Sequence, residues 1–228
     1  MRNVYIIIKK QIKDTLKNKT VLIQFVMFPL MTLVFENAIK IEGMPDLFFT
    51  KLFSIMYMGM APLTATAAII SEEKEKNTLR VLLMANVKPW EYLLGIAIYV
   101  LTICMAGAAL MATCLDKADV AFYLLTMLAG FTISILAGSC VGIYSKNQMI
   151  STSLVMPVMM VLSFTPMLAM FNKDIEKFAS LFYTQQLKTV LDGMSFDKIG
   201  TNNALTVMIN ALLAAGLFFA AFRKKGLE

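Results

Sequence analysis

The sequence predicts an all-α integral membrane fold, and three observations predict it. The 228 residues are 58% hydrophobic and only 16% charged, with a mean hydropathy of +0.70. Soluble domains carry about 25% charged residues, so most of these side chains need lipid rather than water around them. Six apolar runs are each long enough to cross about 30 Å of hydrocarbon at about 1.5 Å per residue. The charges fall in short stretches between the runs, as anchors at a bilayer interface do.

The first segment, residues 1–19, sets Val4, Ile8, Ile12 and Leu16 four apart, with Lys9, Lys10, Lys13 and Lys17 on other faces. That spacing predicts an amphipathic interfacial helix, its lysines beside anionic lipid heads. The spans then follow as Val21 to Ile39, Leu52 to Ile70, Tyr92 to Leu115, Val120 to Tyr144, Met149 to Phe171 and Ala204 to Phe222. Pro29 and Pro157 predict kinks in the first and fifth. No small-residue cleavage site precedes the first long run near Val21, so no removable signal peptide is expected. Six crossings put both termini on one side. Lys and Arg divide fourteen to seven in favour of that side, which predicts cytoplasmic termini.

The chain reads as a single transmembrane domain, 1–228. Residues 20–115 hold the first three spans with a connecting segment 71–90, and residues 116–228 hold the last three with an outer loop 172–203. In that loop Phe178, Leu181, Phe182, Leu187, Val190 and Leu191 predict one apolar face on a re-entrant or interfacial helical hairpin before the last span.

Composition removes several function classes. Net charge is +6, but no basic face with interleaved aromatics marks a nucleic-acid site. The chain has no His, and Cys104, Cys114 and Cys140 lie within or beside apolar runs, so neither a metal site nor a disulfide framework is expected. The 19 methionines read as adaptable packing, with Met156 and Met160 as candidate lining for apolar or amphipathic cargo. Glu36 is the main ionisable residue inside a span, read as interfacial or as part of a pathway; a proton-coupled carrier needs more. Glu72 and Glu73 lack the histidines that a membrane protease would pair with an acidic motif. No phosphate-loop motif occurs, so no cofactor is expected on this chain and it is not expected to be an enzyme by itself. Gly130, Ser134, Gly138 and Gly142 recur every four residues, a strip of small side chains that lets another helix approach, within the subunit or across a dimer.

The most informative stretch is residues 71–95, SEEKEKNTLRVLLMANVKPWEYLLG. Dense alternation of charge over Glu72 to Lys76 precedes an apolar patch of Leu79, Val81, Leu82 and Leu83, a combination suited to a helix docking in another protein's groove. The segment resembles the signature between the second and third helices of ABC-2-type transporter permeases, matched here by Glu73, Lys74, Glu75, Thr78, Leu79, Leu82, Leu83, Pro89, Leu93, Leu94 and Gly95. Asn77 stands where that family usually has glycine, and Ile96 where it has lysine; Asn also enters left-handed conformations.

The resemblance covers the layout of the whole chain and implies the transmembrane subunit of an ABC exporter in a bacterial cytoplasmic membrane. It implies a second permease copy, in a homodimer or heterodimer, and separate nucleotide-binding ATPase subunits that hold ATP and Mg. A short coupling helix would transmit ATPase motion, with Glu72, Glu73, Glu75 and Asn77 around its start and Thr78, Leu79, Leu82 and Leu83 as its packed anchor. Small permeases of this type resemble exporters of bacteriocins and amphipathic peptide toxins, so export of such antimicrobial peptides is the expected activity. Drugs, lipids or polysaccharide are alternative cargoes, and an ATP-independent channel is a further alternative.

Overall fold

The computed structural model describes residues 2–17, 19–39, 43, 45–194 and 200–225. These residues form α1 Arg2–Lys17, α2 Lys19–Ala38, α3 Phe48–Glu75, α4 Thr78–Met84, α5 Pro89–Met111, α6 Val120–Tyr144, α7 Gln148–Leu168, α8 Lys173–Ala179, α9 Tyr183–Gly193 and α10 Thr201–Lys225. A 3₁₀ turn, Ala112–Cys114, closes α5, and no strand occurs among the described residues.

Five helices, α3, α5 with its 3₁₀ turn, α6, α7 and α10, are long and apolar enough to cross a membrane. This makes the protein an all-α, multi-pass membrane protein. For the first of the six expected spans, α2 carries the apolar stretch Leu22–Ala38 among the described residues.

Each boundary has a local cause. The second span runs past its expected end at Ile70 because Glu and Lys, good helix formers, continue it to Glu75. It stops where Asn77 turns left-handed, at φ 56°. Pro89 opens α5 at the position where its missing N–H costs nothing, and Glu91 Oε2 accepts the Lys88 N–H at 3.0 Å. The Asn147 side chain accepts the Ile150 N–H at 2.9 Å and starts α7. Pro29 and Pro157 lie inside α2 and α7, which continue through them.

The core is built around α3, which packs on α2, α5, α6, α7 and α9 and is the most enclosed of the long helices. Tyr57 and Phe131 meet edge to face at 5.5 Å in its centre. Lipid tails are as apolar as leucine, so helices associate in membranes through close packing and hydrogen bonds. The small-residue strip of α6 supplies both, and it lies against α3 of the same chain. Gly130 abuts Met58, Gly138 abuts the Leu63 backbone, and Gly142 abuts Ala67 and Ile70. Between them the Ser134 hydroxyl donates to the Met58 carbonyl at 2.6 Å.

The connection from α7 to α10 re-enters the bundle. Its α9 packs on α3, α6, α7 and α10, and the Tyr183 hydroxyl meets Ser134 Oγ at 2.5 Å. Ser134 lies about 21 Å along α6 from Val120 at about 1.5 Å per residue, so the first turn of α9 sits beside the middle of a spanning helix. Leu187, Val190 and Leu191 are buried there, while Phe178 and Leu181 remain exposed. Residues 195–199 of the loop lie outside the described residues.

Candidate functional site at one end of the bundle

At one end of the bundle α1, the last turns of α3 and α6, the first turns of α5 and α7, and α4 come together. Here α1 is docked along α5 rather than lying free of the protein. Its inward face is Val4, Ile7, Gln11 and Thr15, all buried, whereas Ile12 of the expected face is exposed; the Leu16 side chain lies outside the described residues. The reason is geometric: a ladder of strict fours rotates about 40° per step at 3.6 residues per turn, while 4, 7, 11 and 15 stay on one side.

Polar contacts at three points and one close approach fasten α1. Asn3 Nδ2 donates to Glu91 Oε2 at 2.9 Å, the Tyr99 hydroxyl donates to Thr15, and Ile7 packs against Gly95, where a Cβ would collide with it. The third polar contact is Glu73. Its Oε1 accepts from Lys10 Nζ and from Gln11 Nε2, the latter at 2.5 Å. The Tyr92 hydroxyl faces the same carboxylate, yet neither it nor Glu73 Oε2 completes a hydrogen bond.

The three acids thus point to different places. Glu73 is buried and turned inward to α1, so it is not presented to another protein. Glu75 is exposed and its Oε2 accepts the Gln148 N–H at 2.9 Å, tying α3 to α7. Glu72 pairs with Lys76 one turn on, and that hydrogen bond holds the Lys76 ammonium above the ordinary lysine range.

The apolar patch also divides. Leu79 is 1% exposed and belongs to the core, and Leu82 and Leu83 pack partly against it, with Thr78 half-buried. What α4 presents outward is Val81, 62% exposed, and Met84, 79% exposed, with Arg80 beside them and Trp90 exposed at the start of α5. Asn77 and Asn86, left-handed at φ 56° and 63°, bracket this short helix. Sequence reasoning picked the leucines because they are the strongest hydrophobes. Met84 and Trp90 were the missed residues, and helical spacing from Leu79 was the signal: 81 and 84 fall off its face.

The remaining candidates lie elsewhere. Glu36 Oε2 accepts the Thr50 N–H at 2.7 Å and the Thr50 hydroxyl at 2.9 Å, so it closes the first turn of α3, where the helix dipole favours an anion. Met156 and Met160 are both exposed, on α7. Among the described residues no group of three or more His, Cys, Asp and Glu is placed to hold a metal ion. Comparison of the chain with models of protein families gives no match, and comparison with curated proteins gives none either.

Proposed function

We propose that this chain is the permease subunit of an ATP-driven exporter of the ABC-2 type, with ATP and Mg held by separate nucleotide-binding subunits. The observation that carries the reading is α4: a short helix between two spanning helices, bracketed by left-handed asparagines, buried on one side through Leu79 and showing Val81 and Met84 on the other. Apolar residues held out of the core at a polar end of a membrane protein suit a hot spot in a partner's cleft. Rigid attachment to α3 and α5 lets such a helix carry displacement into the bundle.

In this reading α2 completes a sixth crossing, both termini face the cytoplasm, and two permease copies enclose the path, with Met156 and Met160 facing it. The cargo class is amphipathic peptide, which an adaptable methionine surface suits. The test is co-expression with phosphate-loop ATPases taken from the reading frames that neighbour this one. Co-purification and peptide-stimulated ATP hydrolysis are expected, and Val81→Glu with Met84→Glu should reduce stimulated hydrolysis at least about tenfold, the loss of a central apolar anchor. Unchanged stimulation in the double variant would sink the assignment of α4.

A further inference from the structure

Beside α4 lies an open notch of about 860 Å³, within the range of about 300–1,000 Å³ typical of small-molecule sites. Among the described residues its wall carries three cations, Lys74, Arg80 and Lys146, together with Asn77, with Leu79, Leu83 and Met84 as the apolar part, and with no carboxylate. The three come from separate places in the chain: the last turn of α3, the middle of α4, and the link between α6 and α7. Lys74 Nζ donates to the Ile143 carbonyl at 2.8 Å at the end of α6, which fixes the ammonium in position. Of the acids on the last turn of α3, Glu72 pairs with Lys76 and Glu75 accepts the Gln148 N–H.

The surroundings define the rest of the ligand. Trp90 and Tyr144, both exposed, stand at the same end of the bundle, in the first turn of α5 and the last turn of α6; amphipathic aromatics of this kind sit at headgroup level. Three and four residues beyond Lys146, Met149 and Ile150 begin an exposed apolar face that Leu154 continues down α7. A molecule whose anionic group entered the notch would lay its apolar part on that face.

We propose that the notch binds the phosphate group of an anionic membrane phospholipid, with Arg80 and Lys146 as its main contacts and the acyl chains along α7. Basic pockets between helices at this level are suited to such headgroups. This site does not depend on the exporter reading, because its occupant comes from the bilayer and not from an ATPase.

The test uses the full chain purified in a neutral detergent and titrated with phosphatidylglycerol, phosphatidylcholine or inorganic phosphate, bound lipid being read by native mass spectrometry. Phosphatidylglycerol should be retained and phosphatidylcholine should not. Arg80→Gln with Lys146→Gln should weaken retention about 30-fold, on the order of fivefold for each interfacial cation. Lys146→Arg should retain the lipid, which separates charge from disturbance of the fold. Equal retention of both lipids, or of phosphatidylglycerol by wild type and double variant, overturns the proposal. Displacement of the lipid by millimolar inorganic phosphate also overturns it, since the notch would then recognise free phosphate. Because no ATPase is present, the result is independent of whether α4 couples to one.

Discussion

At the scale of single residues, the buried carboxylate of Glu73 and the glycines of α6 make opposite demands. Glu73 holds Lys10 and Gln11 across 63 and 62 residues of sequence. Glu73→Ala strands the buried Gln11 amide, while Lys10 keeps Asp14 at 3.6 Å, at a cost of about 1–3 kcal/mol; thermal unfolding of the purified chain should show a lower midpoint, and protease should reach α1 first. Gly138 has no room at all, since a Cβ would strike the Leu63 backbone, while Gly216 on α10 has nothing within 4 Å. Gly138→Ala should therefore destabilise by about 1–3 kcal/mol, and Gly216→Ala should be neutral or stabilise by up to about 1 kcal/mol. Equal effects in the same unfolding measurement would contradict the α3–α6 contact. The strip was legible in the sequence because close approach is written in side-chain size at a fixed interval. The role of Glu73 was not: its neighbours in sequence show only a charge run, and its partners sit on another helix.

At the scale of elements, five long apolar helices could be placed to within a few residues, since hydrophobic length is a property of each segment alone. The face of α1 was misplaced because a ladder of fours ignores the 3.6-residue turn, and because Gln11 and Thr15 are polar residues buried by their hydrogen bonds to Glu73 and Tyr99. The hairpin of α8 and α9 was expected from a half-polar loop; α9 is held in the bundle by buried Leu187, Val190 and Leu191 and by the hydrogen-bonded pair of Tyr183 with Ser134. Tyr183→Phe removes that pair. Interhelical hydrogen bonds in membranes average about 0.6 kcal/mol, so a loss of that order in unfolding free energy is expected, with faster hydrogen exchange confined to α9. Exchange that is unaltered in α9 but faster in α10 would place the anchor elsewhere.

At the scale of the whole molecule, the question is whether α2 crosses. If it does, six helices return the chain to its starting side. Cysteines introduced at Lys9 and Lys224, in a variant lacking Cys104, Cys114 and Cys140, should then react with an impermeant maleimide from the same face of a sealed vesicle, and one at Lys117 from the other. Labelling of positions 9 and 224 from opposite faces would leave five crossings. Charge asymmetry reaches this level of description directly from composition, whereas the surface of Val81 and Met84, on which the proposed docking of an ATPase rests, becomes visible only once the leucines beside them are known to be used.

Helix α3 runs for 28 residues through Pro62, and the nearest approach of its backbone to the α6 glycines is Leu63 at Gly138. That point is a fulcrum close to the middle: Glu75 lies about 18 Å from it along the axis and Phe48 about 22 Å on the other side, at about 1.5 Å per residue. With α3 held straight through Pro62, a sideways push of 1 Å delivered at the α4 end would swing the opposite tip by about 1.2 Å in the reverse direction for these arm lengths, and by less if the helix bends at that proline. The tip that swings is the one tethered by Glu36 through Thr50, so a see-saw at the centre of the bundle would drag α2 along at its far end.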